Sequence, residues 1–300
     1  MADQKDIEYT YTLIDRIYRY CFGKMGDFSG AKYDGDFSLT LEEAQRNKHE
    51  YIVRSLNIRP GSRVLDMGCG WGAFLKCVRD IGAEGIGVTL SSGQQKACVK
   101  NGLNVHFMDC RTIPPETFGV FDAVTCIGAF EAFCSRKEWE AGRQDEICRD
   151  FFRTVAELLP PRGRFYMQTM VFGKNMIELR QVDINAEQNS DAHICALMER
   201  QFPGHWLPKD VDQVITAAQP RFRLIEKSSG RMDYIETQEQ WRKKFRTFNL
   251  KKYLLYLSLV PKYIVNSQLR ERIDVFAENA NRLCFEREIL DHYRLVFEKA

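Results

Sequence analysis

The sequence predicts an α/β fold with a mostly parallel sheet, and three observations carry that expectation. Short, apolar, β-branched runs recur at residues 63–67, 85–90, 105–108, 121–127 and 163–168. Segments of helix length separate them, as parallel strands require for their crossovers. A glycine cluster, Gly68-Cys69-Gly70-Trp71-Gly72, follows the first run and opens a helical pattern, which is where such folds hold nucleotides.

The elements follow in order. Ile7, Tyr11, Ile14 and Tyr18 recur at helical spacing and predict an amphipathic helix covering the core, interrupted by Gly23, Gly26 and Gly30. Thr40-Leu41-Glu42-Glu43 has the capping-box pattern and starts a helix expected to run to about Leu56, before Pro60-Gly61 ends it. The five strands come next, with a helix around residues 151–159 ahead of the last. Residues 171–220 break the rhythm and read as an insertion over the sheet, and residues 222–226 resume strand character. The whole chain, 1–300, reads as one domain. Its parts are a helical cap (1–58), a ligand-binding core (59–170), a lid insertion (171–220) and C-terminal strands and helices (221–300).

Composition narrows the function. Of 300 residues, 44% are hydrophobic and 28% charged, as in soluble globular proteins and unlike disordered or collagen-like chains. Lys and Arg number 43 against 41 Asp and Glu, so the net charge of +2 argues against a nucleic-acid partner. The chain opens without a signal-peptide pattern and holds no apolar run of membrane-spanning length, so a cytoplasmic location is expected. Its 10 cysteines form no CxxC pair and its 5 histidines show no ligand spacing, which predicts reduced thiols and no metal. Residues 241–270 hold eight Lys or Arg and no Asp or Glu, with the apolar run 253–260 among them. One reading is a solvated basic face beside a buried segment. The other is a surface that meets an acyl carrier or a membrane phospholipid headgroup.

The glycine cluster carries the chemistry. Gly68 and Gly70 let backbone approach a ligand, and the helix N-terminus beyond offers N–H donors to an anionic group. A dinucleotide site would show GxGxxG and an acidic residue about 20 positions on, whereas the second strand ends in Thr89-Leu90. Asp66 ahead of GxGxG fits S-adenosylmethionine better, whose methionine end presents an ammonium and a carboxylate.

At this point a family resemblance becomes specific. The chain resembles the cyclopropane fatty acid synthase and mycolic acid cyclopropane synthase family of S-adenosylmethionine-dependent methyltransferases. The stretches that carry the resemblance are 39–45, 64–72, 88–91 with Gln94, and 127–131. Phe202-Pro203-Gly204, Leu207-Pro208, and Tyr234 ahead of Trp241 extend it into the C-terminal third. It implies a Rossmann-like class I methyltransferase with a mostly parallel seven-stranded sheet. It also implies that Gly68 and Gly70 face the methionine part beside Asp66, and that Thr89, Leu90 and Gln94 hold the ribose. Asp109, Cys110 and Arg111 would grip the adenine edge, with Ile127 at the end of its strand. Phe28 and Ser29 would close over the cofactor from the N-terminal segment.

In that family a bound bicarbonate removes a proton from the carbocation that forms when an alkene is methylated, and a Cys, a Glu, a His and a Tyr hold it. The resemblance places the Glu at Glu131 and the Tyr at Tyr234, but the Cys position reads Gly30 and the His position Gln168. Two routes stay open. Gly30 N–H and Gln168 can still donate to an anion, or a buried Glu131 with a raised pKa can act as the base itself. The expected activity is C-methylation of the double bond of an unsaturated fatty-acyl or lipid-like substrate, giving a cyclopropane or branched product. Methylation of a small isoprenoid or amine is the alternative, and a non-catalytic lipid-binding protein is a reading from another class.

Overall fold

In the computed structural model the described residues are Phe22, 25–202, 204–266 and 279–300. The helix expected over Ile7 to Tyr18 lies outside them.

Local sequence sets the first element. Thr40 caps α1 (Leu41–Ser55): its side chain accepts from Glu43 N, and the Glu43 carboxylate accepts from Thr40 N at 2.8 Å, so both orphan donors of the capping box are satisfied. The strands alternate with helices in chain order as β1 (Arg63–Met67), α2 (Ala73–Asp80), β2 (Glu84–Thr89), α3 (Ser92–Lys100), β3 (Asn104–Phe107) and the short α4 (Pro115–Phe118). Then come β4 (Ala123–Ile127), α5 (Arg136–Glu140), α6 (Gln144–Glu157) and β5 (Arg164–Phe172). The C-terminal half holds α7 (Asp191–Gln201), α8 (Val211–Ala218), β6 (Phe222–Ser229), α9 (Arg231–Arg246), α10 (Leu250–Val265), α11 (Ala280–Glu286) and β7 (Leu290–Lys299).

All seven strands join one sheet in the order β3-β2-β1-β4-β5-β7-β6. β1 to β5 pair in parallel, whereas β7 runs antiparallel to both β5 and β6. The order reverses beside β1, and an open sheet of this kind leaves a crevice beyond the strand ends at such a point.

Two cores hold the sheet. On one face Leu65, Met67, Val124, Cys126, Phe165 and Met167 pack against Phe151, Phe152 and Val155 of α6. On the other, Val64, Ala123 and Tyr166 pack against Ile52 of α1 and Phe74 and Val78 of α2. Phe152 is fully buried, so truncation to Ala would cost about 3–5 kcal/mol. Burial on both sides explains why β1 and β4 are mainly apolar, with the buried Asp66 and Thr125 bonded to each other.

The expected insertion resolves into unlike parts. α8 packs on α6 beside the sheet, whereas α7 joins Tyr33, Tyr234, Trp241 and Phe285 in a separate core over the strand ends. The run 253–260 is not the buried segment of one sequence reading. Leu254 and Leu257 are 58% and 65% exposed, while Lys252 is buried and its Nζ donates to the carbonyls of Phe245 and Thr247. No helix of the described residues is long and apolar enough to cross a membrane.

Candidate active site

Where β1 ends, the chain must turn sharply into α2, and Gly68 and Gly70 do so with φ of +81° and +55°. A β-carbon on Gly68 would collide with Ala129, whereas one on Gly70 would meet nothing within 4 Å, so Gly70 faces open space. The loop is anchored by Gly68 and Cys69, whose N–H groups both donate to Val88 O at 3.0 Å. Beneath it Asp66 is 3% exposed and accepts from Thr125 Oγ1 at 2.8 Å. Burial pushes its carboxyl up to about 7, although the Thr125 hydrogen bond opposes the shift.

A pocket opens at this loop, and every residue assigned to the cofactor from sequence lines it: Phe28, Ser29, Asp66, Gly68, Gly70, Thr89, Leu90, Gln94, Asp109, Cys110, Arg111 and Ile127. Three strand ends converge there, because β1, β2 and β4 are parallel neighbours. Thr89 Oγ1 donates to Gln94 Oε1 at 2.7 Å, fixing the amide at the start of α3. Asp109 and Arg111 form an ion pair at 2.6 Å, and Arg111 lies over the Phe133 ring.

The N-terminal loop reaches this pocket through a network that sequence reading did not identify. Lys48, fully buried on α1, donates to Asp27 Oδ2 at 2.7 Å and to Ser29 Oγ at 2.5 Å. His49 Nε2 lies 2.8 Å from the same carboxylate, and Gln45 Nε2 donates to Ser29 O at 2.8 Å. Burial alone would raise the Asp27 pKa, but Lys48 and His49 hold it well below the ordinary carboxylate range. The signal was present in the spacing of 41, 44, 45, 48, 49 and 52, which forms one face of α1 and is buried throughout. Phe28, between the bonded Asp27 and Ser29, stacks on Trp241 of α9 with centroids 5.3 Å apart.

A second pocket shares Phe28, Ser29, Gly128 and Ala132 with the first, and Gly30, Glu131, Gln168 and Tyr234 all line it. Its remaining wall is mainly apolar, with Met170, Phe172, Met176, Leu179, Val182 and Met198. Glu131 is 7% exposed; its Oε1 accepts from Met170 N at 2.8 Å, while its Oε2 is buried without a partner. Burial pushes its carboxyl up to about 7. Gln168 ties β5 to the loop: Nε2 donates to Gly30 O at 2.9 Å, and Oε1 accepts from the OH of Tyr166 on the same strand at 2.9 Å. His292 of β7 also lines this pocket and stacks on Tyr234, with centroids 5.0 Å apart and planes 9° from parallel. No sequence signal marked it, because β7 alternates polar side chains toward the interior.

Comparison with known proteins places this geometry. Cyclopropane mycolic acid synthase 3 of Mycobacterium tuberculosis is 26% identical over 241 residues, 79% of this chain and 80% of that protein. The solved cyclopropane synthase MmaA2 from Mycobacterium tuberculosis superposes with a TM-score of 0.75 at 22% identity, over 99% of this chain and 98% of that one. Mycolic acid cyclopropane synthase CmaA1, solved in complex with SAH and CTAB, superposes with a TM-score of 0.74 at 19% identity, again over 99% and 98%. The family model for mycolic acid cyclopropane synthetase matches residues 1–259. The chain belongs to the mycolic acid cyclopropane synthetase family, and with it to the S-adenosylmethionine-dependent methyltransferases.

Proposed function

We propose that the protein methylates the double bond of an unsaturated fatty-acyl chain, with S-adenosylmethionine in the first pocket and the acyl chain in the second. The observation that carries this reading is the shared wall. A glycine-loop pocket abuts a mainly apolar one across Phe28, Ser29, Gly128 and Ala132, and the apolar pocket holds one buried carboxyl without a charged partner.

When bound, S-adenosylmethionine supplies an electrophilic methyl group. Gly68 and Gly70 would leave bare backbone for its amino-acid end, and an ammonium there would favour the ionised form of Asp66. Thr89, Leu90 and Gln94 border the ribose; Asp109, Cys110, Arg111 and Ile127 border the base. Phe28 and Ser29 close the loop over it. An alkene lying in the second pocket would be open to that methyl group across the shared wall, and its methylation would leave a carbocation on the acyl chain. The buried Glu131 carboxylate would face that charge in a mainly apolar site, where one negative group stabilises a cation far more than it would in solvent. Tyr234 adds an aromatic face. Gln168 holds Gly30 in place.

Within the 171–220 insertion, Met176, Leu179, Val182 and Met198 line the acyl pocket and act as its lid in this reading. Access to lipid follows from α10. Leu250, Leu254, Leu257, Val260 and Ile264 are exposed at helical spacing, and the exposed cations Lys243, Arg246 and Lys251 border them. Apolar area flanked by cations fits an anionic phospholipid surface.

The test is to incubate the protein with methyl-labelled S-adenosylmethionine and monounsaturated phospholipid, then analyse the acyl chains by mass. A labelled chain heavier by one CH2 unit, with its double bond lost or moved, is the expected result. Label transferred only to an added amine or isoprenoid, with none in acyl chains, would move the assignment to a small acceptor.

A further inference from the structure

We propose that His292 is the base of the second pocket, an imidazole supplied by β7 that takes the proton from the methylated carbocation in place of a bound bicarbonate. The inference rests on the alkene reading above and concerns how that reaction ends.

The residues here do not suit the anion. At position 30, where the family pattern has Cys, a β-carbon would lie 2.7 Å from Tyr234 Cδ2, 3.2 Å from His292 Cε1 and 3.3 Å from His292 Nε2. The space a thiol would enter is filled by two stacked rings. Gln168, at the family's His position, is engaged by Gly30 O and Tyr166 OH rather than aimed at a ligand. Of the four groups that hold the anion in the family pattern, Glu131 and Tyr234 are kept, but the two donors at positions 30 and 168 are gone, and an imidazole, His292, stands beside them instead.

The imidazole has been given room. Its Cε1–Nε2 edge lies against Gly30, and a β-carbon on Gly230 would collide with its Nδ1. Two glycines from distant parts of the chain thus flank one ring. The backbone holds the strand itself, because Gly230 N donates to His292 O at 2.8 Å and Met170 pairs with His292 across β5 and β7. The side chain is not held in that way. His292 is 2% exposed, yet its Nδ1 is buried without a hydrogen-bond partner. A phenyl ring would stack on Tyr234 equally well, and it is the Nε2 side of the imidazole that lies by Gly30, where both residues line the second pocket. Burial, with Arg294 and Lys48 nearby, keeps the ring neutral well below its ordinary pKa, so a lone pair is present at neutral pH.

The step balances. After methyl transfer the cation loses a proton from the new methyl group, whose C–H pair closes a C–C bond to give cyclopropane, or from the adjacent carbon to give a branched alkene. The Nε2 lone pair takes that proton, with the other ring proton on Nδ1. Positive charge passes from carbon to ring without leaving the field of Glu131 or the face of Tyr234. The imidazolium, disfavoured by burial, then returns its proton to water once product leaves. This also makes sense of Met170: the residue that anchors Glu131 through its N–H pairs directly with His292, so carboxylate and imidazole are tied to one rung of the sheet.

The experiment compares wild type with His292→Phe on monounsaturated phospholipid, in buffer stripped of carbon dioxide and again with bicarbonate added. The expected wild-type rate is the same in both. His292→Phe should bind S-adenosylmethionine with unchanged Kd and turn over about 100-fold more slowly. Part of its residual product should shift from proton loss to water capture, giving a methylated alcohol, which a merely structural change would not cause. His292→Asn, which keeps a polar group but no base, serves as the second variant if the Phe ring impairs cofactor binding, and should show the same loss. Variants within threefold of wild type with unchanged products, or a wild-type rate that requires bicarbonate, would overturn the inference. Wild type that binds cofactor but methylates no alkene refutes the functional reading itself, and the role of His292 falls with it.

Discussion

Glu131 is a carboxyl with one oxygen held by Met170 N and the other unpartnered, and burial pushes its pKa up to about 7. If its carboxylate stabilises the cation, turnover at saturating cofactor should rise with pH through about 7 and level off above. Glu131→Gln should leave cofactor affinity intact, lower kcat by about 100-fold and flatten that profile. Steady-state rates between pH 6 and 8.5 check this, and an unchanged profile in the variant would remove Glu131 from the reaction. The sign for stability is opposite. A carboxyl whose folded pKa exceeds its unfolded value near 4.5 favours the folded state at low pH, and that contribution is lost as pH rises through about 7. The glycine loop shows as a local pattern between a strand and a helix, while Glu131 and Tyr234 were placed through the family resemblance. His292 could not be read from sequence, since its partners Gly30, Gly230 and Tyr234 are brought to it only by the folded sheet.

Among the elements, α1 links sequence pattern to site geometry most directly. Its capping box was legible at Thr40 and Glu43, and its buried face carries Gln45, Lys48 and His49 to the N-terminal loop. Lys48→Met should destabilise the fold by about 3–5 kcal/mol, because it leaves the Asp27 carboxylate buried beside too few donors. The double variant Asp27→Leu with Lys48→Met should recover most of the loss. Urea unfolding of the set measures both, and additive costs would mean that the pair is not coupled. β1 and β4 were legible as apolar runs buried on both faces. β7 was not, because Asp291, Arg294, Glu298 and Lys299 obscure its period. Arg294 is fully buried in a 2.9 Å ion pair with Asp233, so polarity there marks the interior rather than the surface.

For the whole molecule, the proposed reaction raises the question of how the acyl chain of a lipid would enter the second pocket. Leu254→Glu with Leu257→Glu replaces two exposed apolar side chains on α10, neither of which lines either pocket. Wild type should sediment with phosphatidylglycerol vesicles and be released by salt, and the double variant should stay in the supernatant while binding S-adenosylmethionine normally. Equal sedimentation of the two would show that α10 does not dock. The parallel part of the sheet was foreseeable from the alternation of strand and helix patterns, whereas the strand order and its switch point were not. The second core, which joins the N-terminal loop to α7, α9 and α11, was not, since its contacts span most of the chain length.

One feature shared by the two pockets bears on their kinetics. Phe28 and Ser29 border both. A ligand that orders this loop from one side spends conformational entropy that the other ligand need not spend again. Methyl donor and acceptor should therefore tighten each other's binding by the same factor, a reciprocity that equilibrium thermodynamics imposes whatever the order of addition.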